Sequence, residues 1–166
     1  MNPAIRTSTL ADLESHVDHR VAMFRDMDMG DEEGRTRMGG AFRERLRTWM
    51  IQGEARGWVA EADGEVVAGA LVFLKESLPV PHLESCVRAY LANVFVVPAW
   101  RSKGLARSLT EAVLDFCRGQ SIPVLELHAS LQAEPLYKAM GFVPTSEYRM
   151  VLDAGVKLPA QWQNRR

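Results

Sequence analysis

The stretch that most restricts the fold is AYLANVFVV, residues 89–97, a near-continuous apolar run that Pro98 ends. A run this short and this apolar fits a β-strand covered on both faces. Beyond a short turn, Leu105, Leu109, Val113 and Phe116 recur at helical spacing, so a helix with one buried stripe follows. A strand that needs cover on both sides, feeding directly into an amphipathic helix, requires an α/β arrangement.

The flanking sequence fills in that arrangement. AIR is compatible with a short opening strand, and Thr9 with Asp12 resembles a capping box. Leu10, Leu13, Val17, Val21 and Phe24 then predict a helix to about Met27. The glycine-rich interval MGDEEGRTRMGG interrupts the pattern, and Phe42, Leu46, Trp49 and Met50 restore it up to about Gly53. Two β-rich runs flank Asp63-Gly64, a two-residue hairpin signal. After the Ala89–Val97 strand and its helix, IPVLELHA reads as another strand. AEPLYKAM reads as a short helix stopped by Gly141, and a last strand is expected at about Tyr148 to Leu152. The expectation is one mixed α/β domain over residues 1–166, with a largely antiparallel central sheet flanked by helices.

Bulk properties remove several function classes. The chain has 166 residues, which suits one domain with a sizeable core. A formal net charge of -1 offers no broad positive field for nucleic acid or an anionic membrane. No stretch approaches the roughly 20 apolar residues of a membrane span, and the N-terminus lacks a secretory core. Two cysteines, Cys86 and Cys117, are too few for a disulfide framework, so a reduced, cytoplasmic protein is expected. His16, His19 and His82 show no ligand spacing, and no metal is expected.

The turn before the helix carries the chemistry. RSKGLAR, residues 101–107, is basic and contains Gly104. The first N–H groups of a helix have no partner inside it, and the peptide dipoles leave partial positive charge there. Gly104 and Ala106 keep the approach open, so a phosphate could touch the backbone, with Arg101, Lys103 and Arg107 around it. The alternative is that Ser102, the only candidate cap, closes an ordinary helix whose basic residues form a solvated face.

Arg101-Ser102-Lys103-Gly104-Leu105-Ala106 fits R/Q-x-x-G-x-G/A, and Val94-Phe95-Val96-Val97-Pro98 precedes it. Some thirty residues on, Ser130-Leu131-Gln132-Ala133-Glu134-Pro135-Leu136-Tyr137 leads into Lys138-Ala139-Met140-Gly141-Phe142. Together these resemble the pyrophosphate loop and the N-x-x-A-x-x-L-Y-x-x-x-G-F element of the GNAT N-acetyltransferase superfamily. The second run is similar to one in an uncharacterised bacterial-type subfamily. The resemblance covers residues 58–152 well, as sheet and CoA-binding core, and 1–54 more loosely, as the acceptor side.

The resemblance implies transfer of an acetyl group from acetyl-CoA to an amine of a small molecule, protein or peptide. It implies that the main chain of Val94, Phe95 and Val96 pairs with the pantetheine arm. The N–H groups of about Ser102 to Arg107, with Lys103, Gly104, Leu105 and Ala106 between them, would hold the pyrophosphate beside Arg101. An N–H on that strand would also face the developing oxyanion. Tyr137 would protonate the departing CoA sulfur. Ser130 stands where the family has asparagine and can still hydrogen-bond pantetheine or a backbone carbonyl. Pro135 suits the first turn of a helix.

The general base is less determined. Asn93 is not a base; Glu84 precedes the strand, and Glu126 and His128 share a face of the next one. His128, at that strand's end and with a suitable side-chain chemistry, is the candidate. The acceptor pocket would form from DMDMGDEEGRTRMGG and VPTSEY, the first a glycine-rich lid whose Asp26, Asp28, Asp31, Glu32 and Glu33 could attract a cationic amine or simply be solvated. A homodimer is left open, as are the acceptor's identity and an acyl group longer than acetyl. The competing classes are a catalytically inactive CoA-binding regulatory or partner-binding module, and a different nucleotide-phosphate site. The stretch lacks G-x-x-x-x-G-K-[ST] and the third glycine of a dinucleotide fingerprint, which counts against the latter.

Overall fold

Strand β1 (Ala4–Thr7) leads through the expected capping box into the first helix of a computed structural model that describes residues 3–81, 83–147, 150 and 152. Ala11 N–H donates to Thr9 Oγ1 at 3.2 Å, and Thr9 N–H donates to Asp12 Oδ2 at 2.7 Å. Arg6 hydrogen-bonds both oxygens of Asp12 and holds its carboxyl down at about 2. A 3-10 turn at Leu10–Asp12 then opens helix α1 (Leu13–Asp26). Leu10, expected in the apolar stripe, sits in that turn and is exposed.

Helix α2 runs Glu32–Gln52, and this corrects the expected interruption. The glycine-rich interval is mostly helical, leaving only residues 27–31 as connection. Asp31 Oδ1 accepts the Gly34 N–H at 2.7 Å, and Glu32 and Glu33 lie in the first turn, where the helix dipole favours them. Gly39 is there for proximity: a Cβ would lie 3.0 Å from Val21 Cγ2 on α1. Gly53, with φ of 75°, ends α2 as expected.

Strands β2 (Ala55–Ala62) and β3 (Glu65–Glu76) form the hairpin signalled by Asp63-Gly64, whose φ angles of 52° and 80° both lie in the left-handed region of a type I′ turn. Then come β4 (Val87–Val96), α3 (Leu105–Gly119) and β5 (Leu125–Leu127). The five strands lie in the order β1-β2-β3-β4-β5, antiparallel except for the parallel β4–β5 pair. The mixed, largely antiparallel sheet is the expected one.

The sheet is covered on both faces. On one, α1 sits so close that a Cβ on Gly57 would overlap Ser8 Oγ and come within 2.7 Å of His16 Nε2. On the other, α3 lays Phe116 against Trp58, the next residue along β2, at a ring separation of 5.3 Å. Leu46, Leu71, Leu109 and Val113 are fully buried between these layers. Each such side chain contributes roughly 1.5–3 kcal/mol relative to exposure.

The chain divides into two compact units, residues 1–127 and 128–166. The second holds α4 (Glu134–Ala139), which ends at Gly141 with φ of 92° as expected. The strand expected at about 148–152 lies largely outside the described residues. Among the described residues no helix is long and apolar enough to cross a membrane.

Candidate functional site

In the first unit, the site is set by an irregularity in β4. Its partners on β3 step from Leu71↔Ala92 to Gly69↔Phe95, so one extra residue is inserted in β4. Asn93 takes it up with φ of 55°, a conformation asparagine tolerates better than most residues. Its amide Nδ2 donates to the carbonyl oxygen of His16 on α1 at 3.0 Å, which locks the bulge from above.

The bulge changes which residues are paired. Val97 N–H donates to Val67 O on β3 at 2.9 Å. Alternation along the strand turns the main-chain groups of Phe95 to β3 as well, and those of Val94 and Val96 away from it. Among the described residues β5 pairs on that other side only with Ala89–Leu91, and β4 continues past it with an open edge. Val94 and Val96 therefore present the edge expected of them. Phe95 does not: its groups serve β3, and its ring lies 5.2 Å from that of His19.

The turn that follows is uncapped. After a 3-10 turn at Pro98–Trp100, Ser102 and Gly104 both take left-handed φ, 61° and 81°. Gly104 is the N-cap of α3, and no side chain bonds there, so the capping role open to Ser102 is not realised. Ser108 N–H closes the first helical bond to Gly104 O at 3.0 Å. Among the described residues, none of the N–H groups from Ser102 to Arg107 finds an acceptor. Left-handed residues on either side of Lys103, followed by a helix start, turn successive N–H groups toward one side, an arrangement suited to an anion. Nothing lies within 4 Å of where a Gly104 Cβ would be, so the approach is clear.

The basic side chains divide. Lys103 Nζ lies 4.4 Å from the Trp100 ring centre, and Arg107 approaches Glu111 at 3.9 Å. Arg101 turns back instead: its Nε donates to Val96 O at 3.0 Å and its guanidinium pairs with Asp26 at the end of α1.

In the second unit, Tyr137 is buried on α4, its ring edge-on to Phe142 at 5.6 Å, and burial pushes its phenol up to about 12. Ser130 Oγ accepts the Ala133 N–H at 3.3 Å, so it braces the turn into α4. Pro135 falls in the first turn of that helix, as expected. His128 follows the end of β5, and its Nε2 lies 2.9 Å from Glu147 Oε2.

A family model described as an acetyltransferase (GNAT) domain matches residues 27–157. The chain belongs to the GNAT acetyltransferase family. A crystal structure of a GCN5-related N-acetyltransferase from Ralstonia eutropha JMP134 is 31% identical, with a TM-score of 0.84, over 90% of this chain and 97% of that one. A predicted acetyltransferase from Clostridium acetobutylicum, solved with acetyl-CoA, is 19% identical and shares the fold with a TM-score of 0.81 over 89% and 94% of the two chains. The mouse protein N-acetyltransferase 8F1 is 36% identical over 96 residues, 56% of this chain but only 41% of its own length. The chain thus matches less than half of that relative.

Within this GNAT fold most of the expected acidic groups are already engaged. Glu126 pairs with Lys75 at 2.5 Å and Arg88 at 3.1 Å, which keeps its carboxyl below the usual range and makes it a poor proton acceptor. Asp26 is taken by Arg101, Asp31 by the α2 cap, Glu32 by Arg25 and Arg35, and Glu33 by Arg37. Four of the five acidic residues named for the lid, all but Asp28, are thus held by arginines or by the helix cap.

Two features escaped the sequence. His16 and His19 are buried under the Asn93 bulge, 0% and 5% exposed, where desolvation brings both down to about 4. Their spacing on the inner face of α1 was the available signal. Arg20, the next residue, is half-buried and stacked on aromatic rings.

Proposed function

We propose that this chain transfers an acetyl group from acetyl-CoA to an amine. The observation that carries the reading is the row of unpaired N–H groups from Ser102 to Arg107 at the front of α3. These donors, with the side chains of Lys103 and Arg107, would hold the pyrophosphate. The Val94 and Val96 main chain would bind the pantetheine arm along the open edge of β4, and an edge N–H would steady the oxygen of the thioester carbonyl as charge develops there.

In the transfer the amine nitrogen forms a bond to the thioester carbon and the carbon–sulfur bond breaks. The sulfur takes a proton from the Tyr137 hydroxyl, and the nitrogen gives one up. Burial pushes the Tyr137 phenol up to about 12, so its hydroxyl stays protonated even at the alkaline pH where amines are unprotonated. His128 is the proposed acceptor of the amine's proton, its ring oriented by Glu147. These two roles rest on the second motif and on the position of His128 after β5.

Calorimetry against CoA, ATP and NAD, followed by thiol release from acetyl-CoA with a panel of amines, tests the reading. The expected result is CoA binding that Gly104→Glu abolishes, with amine-dependent thiol release. CoA binding without release for any amine would favour a regulatory CoA-binding module instead.

A further inference from the structure

Arg20 is a half-buried cation with no carboxylate partner among the described residues. On the inner face of α1 its guanidinium carbon lies 5.0 Å from the ring centre of Phe24 and 4.7 Å from that of Phe42. Those rings cover its faces and satisfy the charge in part. A guanidinium also carries five N–H donors around its edge. Among the described residues, Arg20 makes no hydrogen bond and no ion pair, whereas Arg6, Arg43 and Arg88 each reach a carboxylate. Burial works against its charge. A half-buried cation with no carboxylate beside it is favoured by an anion that meets its free N–H groups.

Arg20 lines a cleft of about 470 Å3 between the helices and the sheet, within the usual range for a small-molecule pocket. Phe42 and Trp49 of α2, Phe73 of β3 and Tyr90 and Ala92 of β4 form its walls. Trp49 and Phe73 meet edge to face at 5.2 Å, giving a firm aromatic surface. Glu54 is the acidic residue of the lining, and it does not pair with Arg20. The chemistry on offer is one bidentate anion-binding edge beside a set of aromatic rings. That combination recognises a carboxylate attached to an apolar group.

The cleft reaches β4 at Ala92, directly before Asn93 and the open edge. From Ala92 to Val94 is two residues, roughly 7 Å along a strand. A carboxylate held at Arg20 would thus place an amine a few bonds away near that edge. Resting on the acetyl-transfer reading above, we propose that this cleft is the acceptor subsite and that the acceptor is a small apolar amine bearing a carboxylate, of the amino-acid or dipeptide class. Arg20 binds the carboxylate, and the rings bind the side group. The arginine-paired acidic residues at the end of α1 and the start of α2 agree with an acceptor that is not simply cationic.

The test has two arms that separate this inference from acetyl transfer itself. Calorimetry with phenylacetate and its neutral amide, phenylacetamide, needs no turnover. Wild-type protein is expected to bind phenylacetate at least tenfold more tightly, and Arg20→Gln to erase the difference while leaving CoA affinity unchanged. Phenylalanine and phenethylamine are then compared as acceptors at saturating acetyl-CoA. The expected result is a preference for phenylalanine of tenfold or more in kcat/KM, carried by KM and lost in Arg20→Gln. Equal binding of phenylacetate and phenylacetamide by the wild type, or equal use of the two amines, overturns the inference, and neither comparison depends on the variant folding. Selective phenylacetate binding without acetylation of any amine would uphold the anion cleft and overturn acetyl transfer and the acceptor role together.

Discussion

Arg101 donates from Nε to the carbonyl oxygen of Val96 at 3.0 Å while its guanidinium pairs with Asp26. One side chain thereby ties the loop to the strand edge before it and to the end of α1. The ion pair is solvent-exposed, so its loss should cost stability less than about 1 kcal/mol. Its effect on the loop should be larger. Arg101→Ala is expected to weaken CoA binding about tenfold, or ~1.4 kcal/mol, with little change in melting temperature. Arg101→Gln, which keeps an N–H for Val96 O, should lie between the two. Calorimetry beside thermal unfolding checks both halves.

Gly104 is required for its backbone rather than for space. With φ of 81° and nothing within 4 Å of a Cβ, alanine there meets no clash but bears a left-handed conformation costing roughly 1–2 kcal/mol. Gly104→Glu adds a carboxylate where the row of N–H groups points. Circular dichroism should show a retained fold, and CoA binding should disappear in calorimetry. Unchanged affinity would place the phosphates elsewhere.

Tyr137→Phe should lower turnover roughly 10²-fold, the low end for removal of a general acid, while CoA affinity stays within about twofold. Burial raises the phenol to about 12, so the hydroxyl should still be available as a donor well above pH 8. Steady-state rates across that range, measured with free-thiol detection, are the check. A rate unaffected by the substitution removes Tyr137 from the chemistry.

The two buried histidines predict acid sensitivity. Both fall from 6.5 to about 4 because burial disfavours the imidazolium. Between those values the unfolded chain binds protons that the folded one does not, so stability drops as pH falls from about 6.5 towards 4. Each histidine should contribute about 1.4 kcal/mol per pH unit within that window. Asp12 acts separately, its contribution being lost only as pH falls from 3.8 to about 2. Urea midpoints at about pH 7.5 and 5 should differ less in His19→Gln than in the wild type, by roughly half the original gap.

The parts of this fold that were legible in the sequence are those with local causes. Thr9 and Asp12 cap each other within one turn, Asp63-Gly64 dictates its own hairpin, and Leu105, Leu109 and Val113 need only a sheet beneath them. The loop motif was readable for the same reason. What was hidden depends on distant partners. Glycines at 34, 39 and 40 argued against a helix, yet Gly39 is where α1 crosses α2. The bulge at Asn93 is held by His16, 77 positions away, and an apolar run offers no sign of an extra residue. Nothing in the sequence marks Arg20, because only the folded chain surrounds it with Phe24 and Phe42. Asp26 looked available until Arg101 was found on it.

The insertion at Asn93 also implies a kind of fragility that melting curves would not reveal. Excising that single amino acid would let the fourth strand run in unbroken register against the third. Val96 would still oppose Ala68 and Val94 would still face outward, but the strand would lose its local bend and its tie to the first helix through His16. A shortened chain of this sort could fold and even resist heat, yet its fourth strand would run straight where a thioester needs it to bend aside.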